Sequence, residues 1–216
     1  MRRQQRRRLV ALATLAALLV GLSACSRTAS TRFYTLSPIS KGAPPAPEFR
    51  HLSESSVGIG PVALPDYLDR PQIVTRDSPS QVRLAEFDKW AGTLKYAVPR
   101  IIAENLSALT GSDQVYAFPW KSALPIHYQV TIDILRFDAE MASHAELTAQ
   151  WTVFRDDGRI PLTTRTSNLR QRAASGGYTA VVEAESQALA ALSREIAAAL
   201  SKISSPQERR PHAPKR

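Results

Sequence analysis

The chain has 216 residues, 44% of them hydrophobic, with one cysteine and a formal net charge of +9. That length suits one domain of middling size with its own core, and a single cysteine excludes a disulfide within the chain. The charge excludes a nucleic-acid face: five of the 28 basic residues lie in the first eight positions and four in the last eight, which leaves residues 25–203 with 19 basic against 18 acidic side chains.

Arg2, Arg3, Arg6, Arg7 and Arg8 head an uncharged apolar run over residues 9–22, followed by Ser23, Ala24 and Cys25. A basic head, a short apolar stretch and small residues before a cut make a secretory signal, too short and wrongly flanked for a permanent membrane span. Leu22-Ser23-Ala24-Cys25 resembles the lipobox of bacterial lipoproteins. That resemblance implies a diacylglyceryl thioether on Cys25 and removal of residues 1–24; the alternative is an ordinary signal cut at Ala24 with an incidental cysteine. Two or more acyl chains hold a protein stably to a membrane. Ser26 follows, where Asp would mark inner-membrane retention in the Gram-negative sorting pattern, so the implied address is the periplasmic face of the outer membrane. Residues 25–31 then form a short polar leash.

The folded domain is expected over residues 32–203. Residues 32–36 favour a first strand, and the proline-rich stretch 37–56 reads as an extended loop. Residues 57–65 form a second strand, in which Gly58 and Gly60 mark a bulge or a close approach by another backbone. Residues 66–70 make a turn or a single helical turn, because Pro71 pushes Arg70 toward extended geometry. Strands at 72–76 and 81–85 close a hairpin. Asp88 caps a helix starting near Lys89, kinked at Pro99 and ending before Gly111. A short strand at 113–118 precedes the clearest β segment, 124–138, whose phase flips after Ile134 as at a bulge. Residues 145–153 alternate strictly, Asp156-Asp157-Gly158 signals a hairpin turn, and residues 160–172 return. Gly176-Gly177 opens a final amphipathic helix with an apolar stripe from Val182 to Ile203. Residues 204–216 are polar and basic, a composition that favours disorder. The order predicts an α+β fold: an antiparallel sheet with two long amphipathic helices packed on one face, a two-layer sandwich.

No catalytic motif is present. There is no Gly-x-Ser-x-Gly elbow, no P-loop and no His-Glu-x-x-His, and His51, His127, His144 and His212 are too scattered for metal-ligand spacing. No cofactor beyond the covalent lipid on Cys25 is expected. Asp66 and Asp69 are the only close carboxylates beside a distinctive motif. They act either as a turn cap (Asp66) and a local partner of Arg70 (Asp69), or as a partner-docking or acid/base pair.

The Phe33-Tyr34-Thr35-Leu36 strand, Val57-Gly58-Ile59-Gly60-Pro61-Val62, Leu64-Pro65-Asp66-Tyr67-Leu68-Asp69-Arg70-Pro71-Gln72-Ile73-Val74, Trp90 opening the first helix, and the long final helix together resemble the PqiC/YmbA-type lipoproteins. Members of that family are auxiliary components of ABC-type transport. The resemblance implies a periplasmic accessory lipoprotein that works with MCE-domain proteins and integral-membrane components to move lipids and support envelope integrity. The docking candidates are Tyr67, Leu68, Asp69 and Arg70, since aromatic and arginine side chains are over-represented at interface hot spots. Two alternatives stay open: a lipid carrier, which needs a deep apolar cavity, and a lipid-modifying hydrolase, which needs a Ser/His/acid cluster. An open sheet edge leaves a homo-oligomer open as well.

Overall fold

The structure, a computed structural model, describes residues 30–39, 44–120, 124–155, 158–173 and 176–204. The signal segment, Cys25, most of the leash, Asp156, Asp157 and the tail beyond Ser204 lie outside the described residues. The chain forms β1 (Arg32–Tyr34), β2 (Val57–Ala63), β3 (Gln72–Ser78), β4 (Gln81–Trp90), α1 (Leu94–Thr110), β5 (Val115–Ala117), β6 (Tyr128–Glu140), β7 (His144–Arg155), β8 (Ile160–Arg172) and α2 (Tyr178–Ser204), with 3-10 turns at Pro47–Leu52 and Asp66–Leu68.

β6, β7 and β8 form an antiparallel meander. On β7, Ala145, Leu147, Ala149, Trp151 and Val153 are buried and alternate with less buried polar residues, the period-two pattern of a strand with one face in the core. That face, called inner below, meets α2. Trp151 Nε1 donates to Ser167 Oγ at 2.9 Å, and Ser167 donates in turn to Glu195 of α2. α1 contacts β2 and β5, α2 contacts β6, β7 and β8, and the two helices touch. The expected bulge in β6 is present as a register shift between Ile134 and Arg136.

The other edge of β6 changes partner along its length. β2 runs parallel to it as far as the Ala63–Asp133 pair, and β3 runs parallel to it at Thr75–Ala139. β5 adds to β2 in parallel, β4 adds to β3 antiparallel, and β1 adds to β4 in parallel. The sheet is therefore mixed. Antiparallel pairing holds for the long ladders, while strands from the first half reach β6 through a long connection that includes α1, the kind of crossover parallel neighbours require.

Three local expectations are corrected. Asp88 does not cap a helix and Trp90 does not open one; both lie in β4, and α1 begins at Leu94. Asp88 is engaged instead by Arg32 (2.8 and 2.9 Å) and by the Tyr34 hydroxyl (2.7 Å), which clamp β1 to β4. The proline-rich stretch holds a 3-10 turn at Pro47–Leu52, whose Phe49 and Leu52 enter the core. As expected, Pro99 lies inside one continuous helix, where the Lys95 carbonyl loses its intrahelical donor. Gly111 ends α1 as expected, with φ 72 and its N–H donating to the Ser107 carbonyl at 2.9 Å. Gly60 permits a close approach: a Cβ there would lie 2.6 Å from the Phe118 Cβ.

Beyond β1 the chain is fastened to both helices. The Ser37 N–H donates to Ser186 Oγ of α2 at 3.1 Å, and the Ile39 N–H donates to Asn105 Oδ1 of α1 at 2.7 Å. Farther on, the Ala46 N–H donates to the Leu109 carbonyl at 3.1 Å.

Candidate functional site

The switch of partners along β6 leaves a stretch of its edge between Asp133 and Ala139 without a strand neighbour. The segment from Leu64 to Pro71 spans it, since it is the link from the end of β2 to the start of β3. Proline at 65 and 71 limits the backbone at both ends. The 3-10 turn between them is closed by Leu68 N–H to the Pro65 carbonyl (2.9 Å) and Asp69 N–H to the Asp66 carbonyl (3.2 Å). Leu68 is buried in the core, Tyr67 is half-buried, Asp69 is exposed, and Arg70 is half-buried.

Tyr67 turns toward β6. Its hydroxyl donates to Asp138 Oδ2 at 2.9 Å. Arg76 of β3 donates to both oxygens of the same carboxylate, at 3.0 and 2.7 Å, and Arg136 adds a third donor group at 3.0 Å. The Arg76 guanidinium also stands 6.0 Å from the Tyr67 ring centroid. Asp138 is fully buried. Burial alone pushes its carboxyl up, but hydrogen bonds from Arg76, Tyr67 and Arg136 outweigh burial and hold it below the usual carboxylate range. Burial and the Asp138 charge together push the Tyr67 phenol up. The motif is thus bolted to the sheet by a charge-assisted cluster beside the stretch where the edge of β6 opposite β7 has no strand neighbour.

The cluster continues along the outer face. Arg136 also pairs with Glu146, and Glu146 lies 2.7 Å from His144 Nε2. His144 Nδ1 lies 2.7 Å from Ser143 Oγ and 3.0 Å from the Arg170 guanidinium. Arginine only donates, so Nδ1 is the acceptor and Nε2 carries the hydrogen that Glu146 receives. Ser143, His144 and Glu146 therefore form a linked chain, but the nitrogen facing the serine is already engaged by the Arg170 guanidinium, with Glu140 3.6 Å away. His127 lies at the opposite end of β6 and bonds Ser56 Oγ at 3.0 Å, while His51 meets the Ser201 carbonyl at 3.3 Å. His212 lies outside the described residues. No group of three metal-type ligands comes together among the described residues.

Beside the motif lies a cleft of about 680 Å³. Asp66, Asp69 and Asp133 line it with Lys95 of α1, Phe118 and Gln150. Three carboxylates against one lysine make it acidic, and all three are exposed. Sequence reasoning placed Tyr67, Leu68, Asp69 and Arg70 together but missed Asp138, Arg76 and Arg136. The available signal was the run Arg136-Phe137-Asp138, which puts charges on both sides of an aromatic just after the phase flip. No described helix is long and apolar enough to cross a membrane.

Comparison with known proteins places this arrangement in context. The family model described as ABC-type transport auxiliary lipoprotein component matches residues 34–197. No curated protein matches the chain. Among solved structures, protein XCC0632 from Xanthomonas campestris is similar at 16% identity and a TM-score of 0.67, covering 82% of this chain and 99% of that one. A second, an uncharacterized protein, is similar at 22% identity and a TM-score of 0.63, covering 80% and 99%. At these identities the two structures speak for the fold.

Proposed function

Because the chain belongs to the family of ABC-type transport auxiliary lipoprotein components, we propose that it is a non-enzymatic periplasmic lipoprotein, anchored through Cys25 in the outer membrane, that docks onto an MCE-type lipid transport assembly. In this reading the domain is a two-layer sandwich with both helices on the inner face, and the ledge at residues 66–70 is the docking element. Tyr67 and Leu68 hold the ledge from within, while Asp69 and Arg70 meet the partner. The observation that carries the reading is the bracing of an exposed acidic ledge by a buried charge cluster. Pre-organisation of this kind lowers the ordering cost of binding. The complementary surface is basic: the acidic cleft formed by Asp66, Asp69 and Asp133 suits lysine or arginine side chains of a transport component. Tethering makes docking effectively intramolecular once both partners share the envelope.

The test is charge reversal on a surface that carries no fold. Asp66→Lys with Asp69→Lys, expressed in the full chain, is expected to leave the thermal transition in place and to abolish co-purification of the MCE-domain partner from detergent-solubilised envelopes. Retention of the partner would overturn the docking element. The hydrolase alternative draws on the Ser143–His144–Glu146 chain, and the Arg170 donor on His144 Nδ1 counts against it. The carrier alternative suits this cleft poorly, because carboxylates are poor neighbours for acyl chains.

A further inference from the structure

We propose that a small apolar patch on the outer face, at the β1–β4 margin of the sheet, lies against the lipid surface and orients the domain on its tether. The proposal rests on the lipid-anchor reading above. Phe33 is 66% exposed, Leu84 44% and Val82 37%. The register, with an irregularity in β4 between Leu84 and Lys89, places them on one face. Phe33 pairs with Lys89, and Lys89 pairs with Gln72. Leu84 pairs with Val74, and Val82 pairs with Arg76. Gln72, Val74 and Arg76 alternate onto one side of β3, the side from which Arg76 reaches Asp138. Arg32 and Tyr34 turn the other way, to Asp88, which leaves Phe33 pointing outward.

The leash selects the occupant. Arg32 follows Cys25 by seven residues, and seven extended residues reach at most about 25 Å. β1 is therefore held close to whatever surface takes the acyl chains, and Phe33 is the second residue of β1. Three side chains fall far short of the roughly 20–30 residues a side that a stable protein interface uses. A tethered domain needs much less, because its contact with the membrane is already intramolecular. The charges also fit. Asp77 and Asp88 are neutralised by Arg83 and Arg32, and Lys89, beside Phe33, suits lipid phosphate. An aromatic ring with a lysine at its side is the usual composition of an interfacial contact. Within the sheet, β8 lies across β6 and β7 from the β1–β4 margin, so a contact made at that margin leaves β8 distant from it.

The experiment uses the full lipidated chain in vesicles of phosphatidylethanolamine and phosphatidylglycerol. Lipidation consumes the only native thiol, so Phe33→Cys, Leu84→Cys and Thr166→Cys each offer one site for a polarity-sensitive fluorophore. Strong quenching by brominated lipid is expected from positions 33 and 84, with little from position 166 on β8. Equal quenching at all three would overturn the proposal. So would shielding of position 33 without lipid that grows with protein concentration, which would assign the patch to a second copy. Shielding that requires added transport partner would overturn it too. The unsubstituted chain separates the two readings. No label there confirms the tether; one label would mean that Cys25 carries no lipid, and would overturn the anchor together with the proposal.

Discussion

Three carboxylates are buried among the described residues, Asp88, Asp138 and Glu185, and the last two are treated in opposite ways. Asp138, on the outer side of β6, receives Tyr67, Arg76 and Arg136 and is held below the usual range. Glu185, on α2, is almost fully buried, and its Oε2 has no hydrogen-bond partner among the described residues. Burial, followed by the nearby Asp138 charge, pushes the Glu185 carboxyl well up. Depth is similar at the two sites; the supply of donors decides whether a carboxylate stays charged. Asp138 organises its neighbours as an anion. Glu185, short of donors in an alanine-rich helix, has its neutral form favoured by burial.

The sharpest way to break this contrast is Asp138→Ala, which leaves two guanidinium groups and a phenol facing an empty site. Loss of one side of a buried pair costs about 3–5 kcal/mol, so a large fall in the denaturant midpoint is expected. The wild-type cluster also predicts acid sensitivity. A carboxyl with a depressed folded pKa contributes stability present above its unfolded value, near 4, and lost as pH falls through the folded value. A midpoint unchanged by Asp138→Ala would show that the cluster is ornamental.

Glu185→Gln works in the opposite direction. A raised folded pKa gives stability that is complete below the unfolded value near 4 and declines as pH rises. The amide variant is expected to exceed wild type by about 1–3 kcal/mol at pH 8 and to match it at pH 4. Urea melts at the two pH values read this directly, and a gap independent of pH would refute it. Tyr67→Phe removes one hydrogen bond to a charged acceptor and keeps the ring beneath Arg76. About 1.5–3 kcal/mol is expected, with ledge docking weakened only as far as the ledge loosens. The smallest effect belongs to Arg83→Ala, whose exposed pair with Asp77 is screened by water and salt. Its thermal transition should coincide with that of wild type, and a clear shift would show that the β3–β4 turn depends on it.

The contrast also explains what could be read in advance. The β6–β8 meander and α2 were legible because their burial follows a local period: Trp151 and its alternating neighbours on β7, and the stripe from Val182 to Leu200 on α2. The bulge after Ile134 was legible because it breaks that period. Asp88 misled because a helix cap is a local signal, and its actual partners, Arg32 and Tyr34, are 56 and 54 residues away. The parallel pairings of β1, β2 and β5 leave no local mark at all. At the candidate site the motif was visible as an unusual string. Its brace was not, because Asp138 lies 71 residues from Tyr67 in sequence, and a charge in a strand ordinarily reads as a solvent-facing position.

With the tether proposed above, tension would reach the domain at β1. Here that load enters at Arg32 and meets the two-toothed grip on Asp88, three paired residues of β1, and then the Ser37 and Ile39 amides fastened to α2 and α1. The fastenings are arranged in series from the leash inward. Tension on the tether proposed above would be met first by a short strand at the margin of the sheet.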